Sequence, residues 1–214
     1  VLVCPEWWGC NDYAQMRAEK IAELGYVAFA VDMYGKGQTT SDPKQAGEWS
    51  GQVMSDPKVL ADRAAAGLKI LAEQSRVDPE RLAAIGYCMG GTVALELARS
   101  GRPHTENLKA IVTFHASTIA AKDPASNSNV KGSVLICTGA EDGFVKPEQI
   151  EQFHQQMKDA KIDYQLVSYG GAVHSFTNPN ADKYNVPGVK YNMAADKRSW
   201  AAMTFLLQQM FFKW

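Results

Sequence analysis

Short apolar runs alternate along the chain with longer stretches whose apolar positions recur every three to four residues. The runs "VLVC" (1–4), "YVAFAVDMY" (26–34), "RLAAIGY" (81–87), "LKAIVTFHA" (108–116), "GSVLICTG" (132–139) and "IDYQLVSYG" (162–170) predict strands. Between them, helices are expected over 11–25, 56–75, 89–101, 147–160 and 194–212. In the second of these Val59, Leu60, Ala64, Leu68 and Leu71 share one face. Asn11 or Asp12 is a suitable N-cap, Gly25 a stop, and Pro147 a first-turn residue. Residues 35–56 are polar, with glycines and proline, and are expected as a long loop or a short irregular helix; 117–131 reads as a polar loop. Regular strand–helix alternation predicts an α/β fold with a mostly parallel central sheet covered by helices on both faces.

Length then sets the scale. With 214 residues the chain can bury one core, so a single domain over 1–214 is expected. Hydrophobic residues make up 46% and charged residues 21%, with a formal net charge of −1, and there is no basic cluster. Nucleic acid is therefore not an expected partner, and no apolar run is long enough for a membrane span. Cys4, Cys10, Cys88 and Cys137 form no CxxC pair and no zinc-like spacing, and most sit in apolar surroundings. They read as reduced thiols, which favours the cytoplasm. The chain opens at Val1, already within a predicted strand, so a natural N-terminal segment is expected to precede it.

Ligands of open parallel sheets gather at the carboxyl ends of the strands. Glu6, Tyr34, Cys88, His115, Asp142 and His174 each follow one of the six predicted strands. Gly86-Tyr87-Cys88-Met89-Gly90 matches the nucleophile-elbow pattern G-x-S-x-G with cysteine in place of serine. Glycines suit a strained turn that lifts the thiol to a helix N-terminus, where the dipole and free N–H groups favour a thiolate. Cys88, Asp142 and His174 also follow the chain order nucleophile, acid, histidine. A neutral imidazole takes the thiol proton, and a carboxylate orients the ring. Glu141 competes as the acid. His115 and His154 compete as the base, although His115 reads better as a pocket residue and His154 as solvent-facing. "GKGQTT" lacks the spacing of a dinucleotide fingerprint or a P-loop, so cofactor-free catalysis is expected.

The segments "PEWWG", "GYCMGG", "GAEDGFV" and "GAVHSF", in this order, resemble the dienelactone hydrolase family of the α/β-hydrolase fold across essentially the whole chain. The resemblance implies a Cys88–Asp142–His174 triad, with the backbone N–H groups of Trp7 and Met89 as the oxyanion hole. It implies that Glu6 touches the resting thiol and moves away when substrate binds. It also implies an N-terminal hairpin that this sequence lacks.

The chain departs from the family at the substrate carboxylate. Where an arginine follows the histidine by four positions, this sequence has Asn178, and 35–56 contains Lys36 and Lys44 but no arginine. A more neutral, aromatic pocket is expected, drawn from Trp7, Trp8, Tyr34, Trp49, Phe144, His115 and Asn178. Trp8 and Trp49 are favoured because they fall in predicted loops. The expected activity is thioester-mediated hydrolysis of neutral, including aryl, esters or lactones. Phosphotriester hydrolysis by the same thiol is an alternative. A non-catalytic small-molecule binder, a cysteine peptidase and an acyltransferase are the competing classes.

Overall fold

The computed structural model describes residues 1–212. Six parallel strands form one sheet in the order β2-β1-β3-β4-β5-β6, with β1 at Leu2–Cys4, β2 at Phe29–Ala30, β3 at Leu82–Tyr87, β4 at Leu108–Phe114, β5 at Ser133–Gly139 and β6 at Tyr164–Tyr169. The helices are α1 (Asp12–Glu23), α2 (Pro43–Met54), α3 (Pro57–Ala72), α4 (Met89–Arg99), α5 (Pro147–Asp159) and α6 (Met193–Phe211). The order runs from β1 to β2 on one side and from β1 to β3 on the other. That reversal opens a crevice at the carboxyl ends of β1 and β3.

Side chains alternate across each strand, and the two faces of the sheet carry separate apolar clusters. Leu2, Ala84, Ile111 and Val134 pack with Leu68 of α3, Val93 of α4 and Phe153 of α5. Val3, Ile85, Val112 and Leu135 pack on the opposite side with Ile21 of α1 and Leu207 of α6. β3 and residues 134–137 of β5 are buried throughout and apolar because both faces of the sheet are covered there.

Two expectations change. The strand expected over 26–34 contracts to two residues, Phe29–Ala30, because it is the sheet edge and pairs only with β1. Residues 35–56 are not mainly loop: a regular helix, α2, occupies Pro43–Met54. Its start is chemically explicit. The Asp42 carboxylate accepts the Lys44 N–H at 3.0 Å, and Pro43 takes the first helical position. The same Ser-Asp-Pro triplet recurs at 55–57 and opens α3 in the same way. Within the expected loop 117–131, a short 3₁₀ turn spans Pro124–Asn129.

Among the described residues no helix is long and apolar enough to cross a membrane.

Candidate active site

Cys88 sits between β3 and α4 with φ +53° and ψ −121°, a backbone region that L-residues rarely occupy. The turn is possible because its neighbours lack side chains. A Cβ on Gly86 would overlap the Gly90 carbonyl, and a Cβ on Gly90 would overlap the Cys4 carbonyl. The Cys88 N–H is held from behind, donating to the Phe114 carbonyl at 3.0 Å and to His115 Nδ1 at 3.1 Å. The thiol is thereby fixed at the start of α4.

Cys88 Sγ lies 3.1 Å from His174 Nε2, and His174 Nδ1 lies 2.8 Å from Asp142 Oδ2. The other Asp142 oxygen accepts the Phe144 N–H at 2.9 Å, which aims the carboxylate at the ring. Burial draws the His174 pKa down, but Cys88 and the hydrogen-bonded Asp142 more than offset this and hold it up at about 10. A proton on His174, facing the sulfur, is the favoured arrangement. Loop geometry supports the ring. The His174 N–H donates to the Gly188 carbonyl at 3.2 Å, and the His174 carbonyl accepts from the Lys190 N–H at 3.1 Å.

The amides of Trp7 and Met89 have no hydrogen-bond partner among the described residues. Met89 is the first residue of α4, where an unpaired N–H is inherent to the helix end. The Trp7 amide is set by its own peptide unit, whose carbonyl, on Glu6, accepts the Gly9 N–H at 3.2 Å. The next carbonyl, on Trp7, accepts the Tyr34 hydroxyl at 2.7 Å. Trp7 and Met89 line the same cavity as the thiol, and their amides are left as N–H donors without an internal partner among the described residues.

Five predicted residues stand elsewhere than expected. Glu6 makes no hydrogen bond to the thiol. Its carboxylate accepts from Ser175 Oγ at 2.8 Å and from Asn178 Nδ2 at 2.6 Å, so two donors of the His174 loop hold both oxygens. Burial pushes the Glu6 pKa up, opposed by Ser175, Asn178, His174 and Arg17. Asn178 is fully buried and is occupied by Glu6 rather than lining the pocket. Trp49 belongs to α2, not a loop. It meets Tyr34 edge-on at 5.4 Å, and neither ring lines the Cys88 cavity. His115 is also fully buried and lies behind the elbow. Its Nδ1 accepts from Cys88, so Nε2 carries the hydrogen and donates to Thr177 Oγ1 at 2.7 Å. Burial, with the neighbouring His174 and Arg17, keeps the His115 pKa far below its usual range and the ring neutral. His115 thus ties the elbow to the loop that carries His174. Of the rivals, Glu141 and His154 are exposed, and His154 bonds Tyr164.

The cavity at Cys88 measures about 210 Å³. Trp7, Trp8, Met54, Phe144, Val186 and Val189 give it an apolar wall, and among the described residues no lysine or arginine lines it. Trp8 is held by a stack on Tyr184 at 4.1 Å, and Phe144 packs on His174 at 4.7 Å. Met54 escapes the sequence reading because α2 does. Val186 and Val189 escape it because their proximity depends on the backbone bonds that 188–190 make to His174.

Behind the site, Arg17 is buried at 2% exposure and donates to Asp196 at 2.7 Å, to Tyr13 at 3.2 Å and to the Thr177 carbonyl. Replacing it by methionine leaves the Asp196 carboxylate without its cation. Arg17→Met is expected to destabilise the fold by about 3–5 kcal/mol. That corresponds to roughly 6–20 °C in Tm for a chain of this size. Thermal unfolding checks it, and a shift below about 2 °C would contradict the role assigned to this ion pair.

The dienelactone hydrolase family model matches residues 1–211. The chain is 37% identical to the solved structure of a dienelactone hydrolase-like promiscuous phosphotriesterase from metagenomic libraries, with a TM-score of 0.90, covering 98% of this chain and 85% of that one. It is 30% identical to an uncharacterised protein of Caenorhabditis elegans, over 71% of this chain and 94% of the relative. A protein of Aquifex aeolicus with the provisional name carboxymethylenebutenolidase is 27% identical, over 83% of this chain and 76% of its own length.

Proposed function

The chain belongs to the dienelactone hydrolase family and is a hydrolase of ester or lactone bonds, and on that premise we propose that it cleaves uncharged carboxylic esters or lactones through a thioester on Cys88. The observation that carries this reading is the unbroken hydrogen-bonded line from Cys88 Sγ through His174 to Asp142, at 3.1 and 2.8 Å. With the proton on His174, the thiolate attacks the carbonyl carbon. The carbonyl oxygen takes the negative charge against the amides of Trp7 and Met89. The C–O bond then breaks, and the leaving alkoxide takes the proton from His174. Water next gives a proton to His174 as it attacks the thioester. The C–S bond breaks, the acid leaves, and the thiolate–imidazolium pair is restored. Asp142 keeps Nδ1 protonated and the ring aligned throughout.

An uncharged substrate is supported by the cavity wall, which among the described residues has no lysine or arginine to pair with a substrate carboxylate, and by Asn178, which is engaged with Glu6. Glu6 acts in this reading as a positioning residue that braces the His174 loop. A phosphotriester is the second substrate class. It is favoured by the phosphotriesterase activity in the name of the 37% identical relative. There the thiolate attacks phosphorus, the phosphoryl oxygen occupies the same two amides, and an aryl oxide departs. Four unbridged thiols suit a reducing compartment such as the cytoplasm.

The test is rapid-quench hydrolysis of p-nitrophenyl butyrate with mass analysis of the quenched protein. A butyryl group on the peptide containing Cys88, formed and lost at rates that account for turnover, is the expected result. Steady turnover with an unmodified Cys88 at every quench time would overturn the thioester. Parallel assays with a diethyl aryl phosphate decide whether phosphorus is also attacked.

A further inference from the structure

Met54, the last residue of α2, faces two cavities. One is the 210 Å³ cavity at Cys88. The other, about 480 Å³, lies among α3, α4 and the segment after β4, on a floor that includes Leu60, Ala61 and Ala120. The partition has a second element. Ser117 lines the cavity at the thiol, and the next residue, Thr118, lines the larger one. These two parts of the wall differ in stiffness. Thr118 is pinned to α4: its carbonyl accepts from Thr92 Oγ1 at 3.0 Å, and its N–H donates back at 3.3 Å. Met54 is half-buried, and its unbranched thioether can repack at little cost. Arg99, the charged group deepest in the larger cavity, is already bonded to Glu96, Asn127 and the Ile119 carbonyl.

We propose that the larger cavity is an acyl-chain subsite and that Met54 sets the chain length at which the substrate crosses into it, so that the preferred substrates are esters of straight medium-chain acids. The inference rests on the ester-hydrolase reading and adds the substrate class. Thr92, which lines the larger cavity, stands one turn along α4 from Met89, which lines the cavity at the thiol. The acyl group is the arm that stays bonded to sulfur after the alcohol departs. It is therefore the arm that gains from a lined cavity through both chemical steps. A cavity of 210 Å³ shared with the leaving group has little room for a long chain. Lys58 and Lys122 are exposed along the larger cavity, and the chain's end meets solvent there.

The experiment compares kcat/KM for p-nitrophenyl esters from acetate to decanoate in the native protein, Met54→Ala, Met54→Trp and Ala61→Phe. Each methylene that packs against Met54, Leu60, Ala61 and Ala120 is expected to raise kcat/KM roughly 3- to 4-fold, so the native profile climbs from butyrate to octanoate. Met54→Ala moves the climb to shorter chains. Met54→Trp, which closes the partition, and Ala61→Phe, which fills the cavity, each lower the octanoate-to-acetate ratio by about 10-fold or more, the equivalent of two lost methylenes. A native profile that falls steadily beyond butyrate, with ratios within about twofold in both filling variants, would overturn the subsite. Failure of the hydrolase reading looks different, as an absence of Cys88-dependent turnover for every ester, acetate included. A non-hydrolysed probe then still decides the subsite. Octanamide is expected to protect Cys88 from iodoacetamide where acetamide does not, and Ala61→Phe to weaken that protection about 10-fold. Equal protection by the two amides would refute it.

Discussion

Cys88→Ala is expected to lower kcat for p-nitrophenyl butyrate by about 10⁵- to 10⁶-fold, the scale on which removal of a triad nucleophile acts. What remains is the catalysis that the Trp7 and Met89 amides and the cavity can give to attack by water. The fold should survive the change. The backbone at this position is already strained, with φ +53°, and alanine carries the same Cβ as cysteine. The hydrogen bonds that hold the turn, from the Cys88 N–H to Phe114 and His115, involve no side-chain atom of Cys88. A Tm close to that of the native protein, with hydrolysis near background, separates loss of the nucleophile from loss of structure. Substantial turnover in a folded Cys88→Ala protein would remove the thiol from the mechanism.

Asp142→Asn is expected to cost about 10³- to 10⁴-fold in kcat/KM, because an amide at this position no longer fixes the imidazole tautomer or stabilises its charge. The variant also has a pH signature. The His174 pKa is pulled down by burial and held up at about 10 by Cys88 and Asp142 together. The imidazolium is therefore present below that pH and lost as pH rises through it. An alkyl ester such as ethyl butyrate needs that proton for its leaving alkoxide, so its kcat/KM should fall above about pH 10 in the native protein. In the Asp142→Asn protein one raising influence is gone, and the alkaline limb moves to lower pH. A p-nitrophenyl ester, whose leaving group departs without a proton, should show a weaker alkaline limb. An unmoved limb for ethyl butyrate in the variant would mean that Asp142 does not govern His174.

Much of this arrangement is written locally in the chain. The elbow is one example: Gly86 and Gly90 are dictated by a turn whose geometry excludes a Cβ, and their spacing around Cys88 is visible without any tertiary knowledge. The start of α2 is equally local, in Ser41-Asp42-Pro43, yet the polar glycine-containing segment around it obscures the cap. Trp49 shows the consequence. As a loop residue it would belong at the pocket, whereas on α2 it packs against Tyr34. The aromatic and histidine positions are harder still. A buried polar side chain reads as a site residue until its partners are known, and those of His115, like the Glu6 partner of Asn178, lie far away in sequence. His115 serves the Cys88 amide and Thr177, and Asn178 serves Glu6.

By itself, then, the sequence determined the alternation of strands and helices, the parallel sheet, the elbow, and the order in which Cys88, Asp142 and His174 follow β3, β5 and β6. These follow from side-chain periodicity and turn chemistry, which act over a few residues. The tertiary structure alone decided which oxygen holds which donor. It turned Glu6 toward Ser175 and Asn178, set His115 behind the nucleophile, and brought Met54 between two cavities. The physical reason is that a buried polar or adaptable side chain takes its role from whatever the fold packs against it, and strand order and loop closure decide which groups those are.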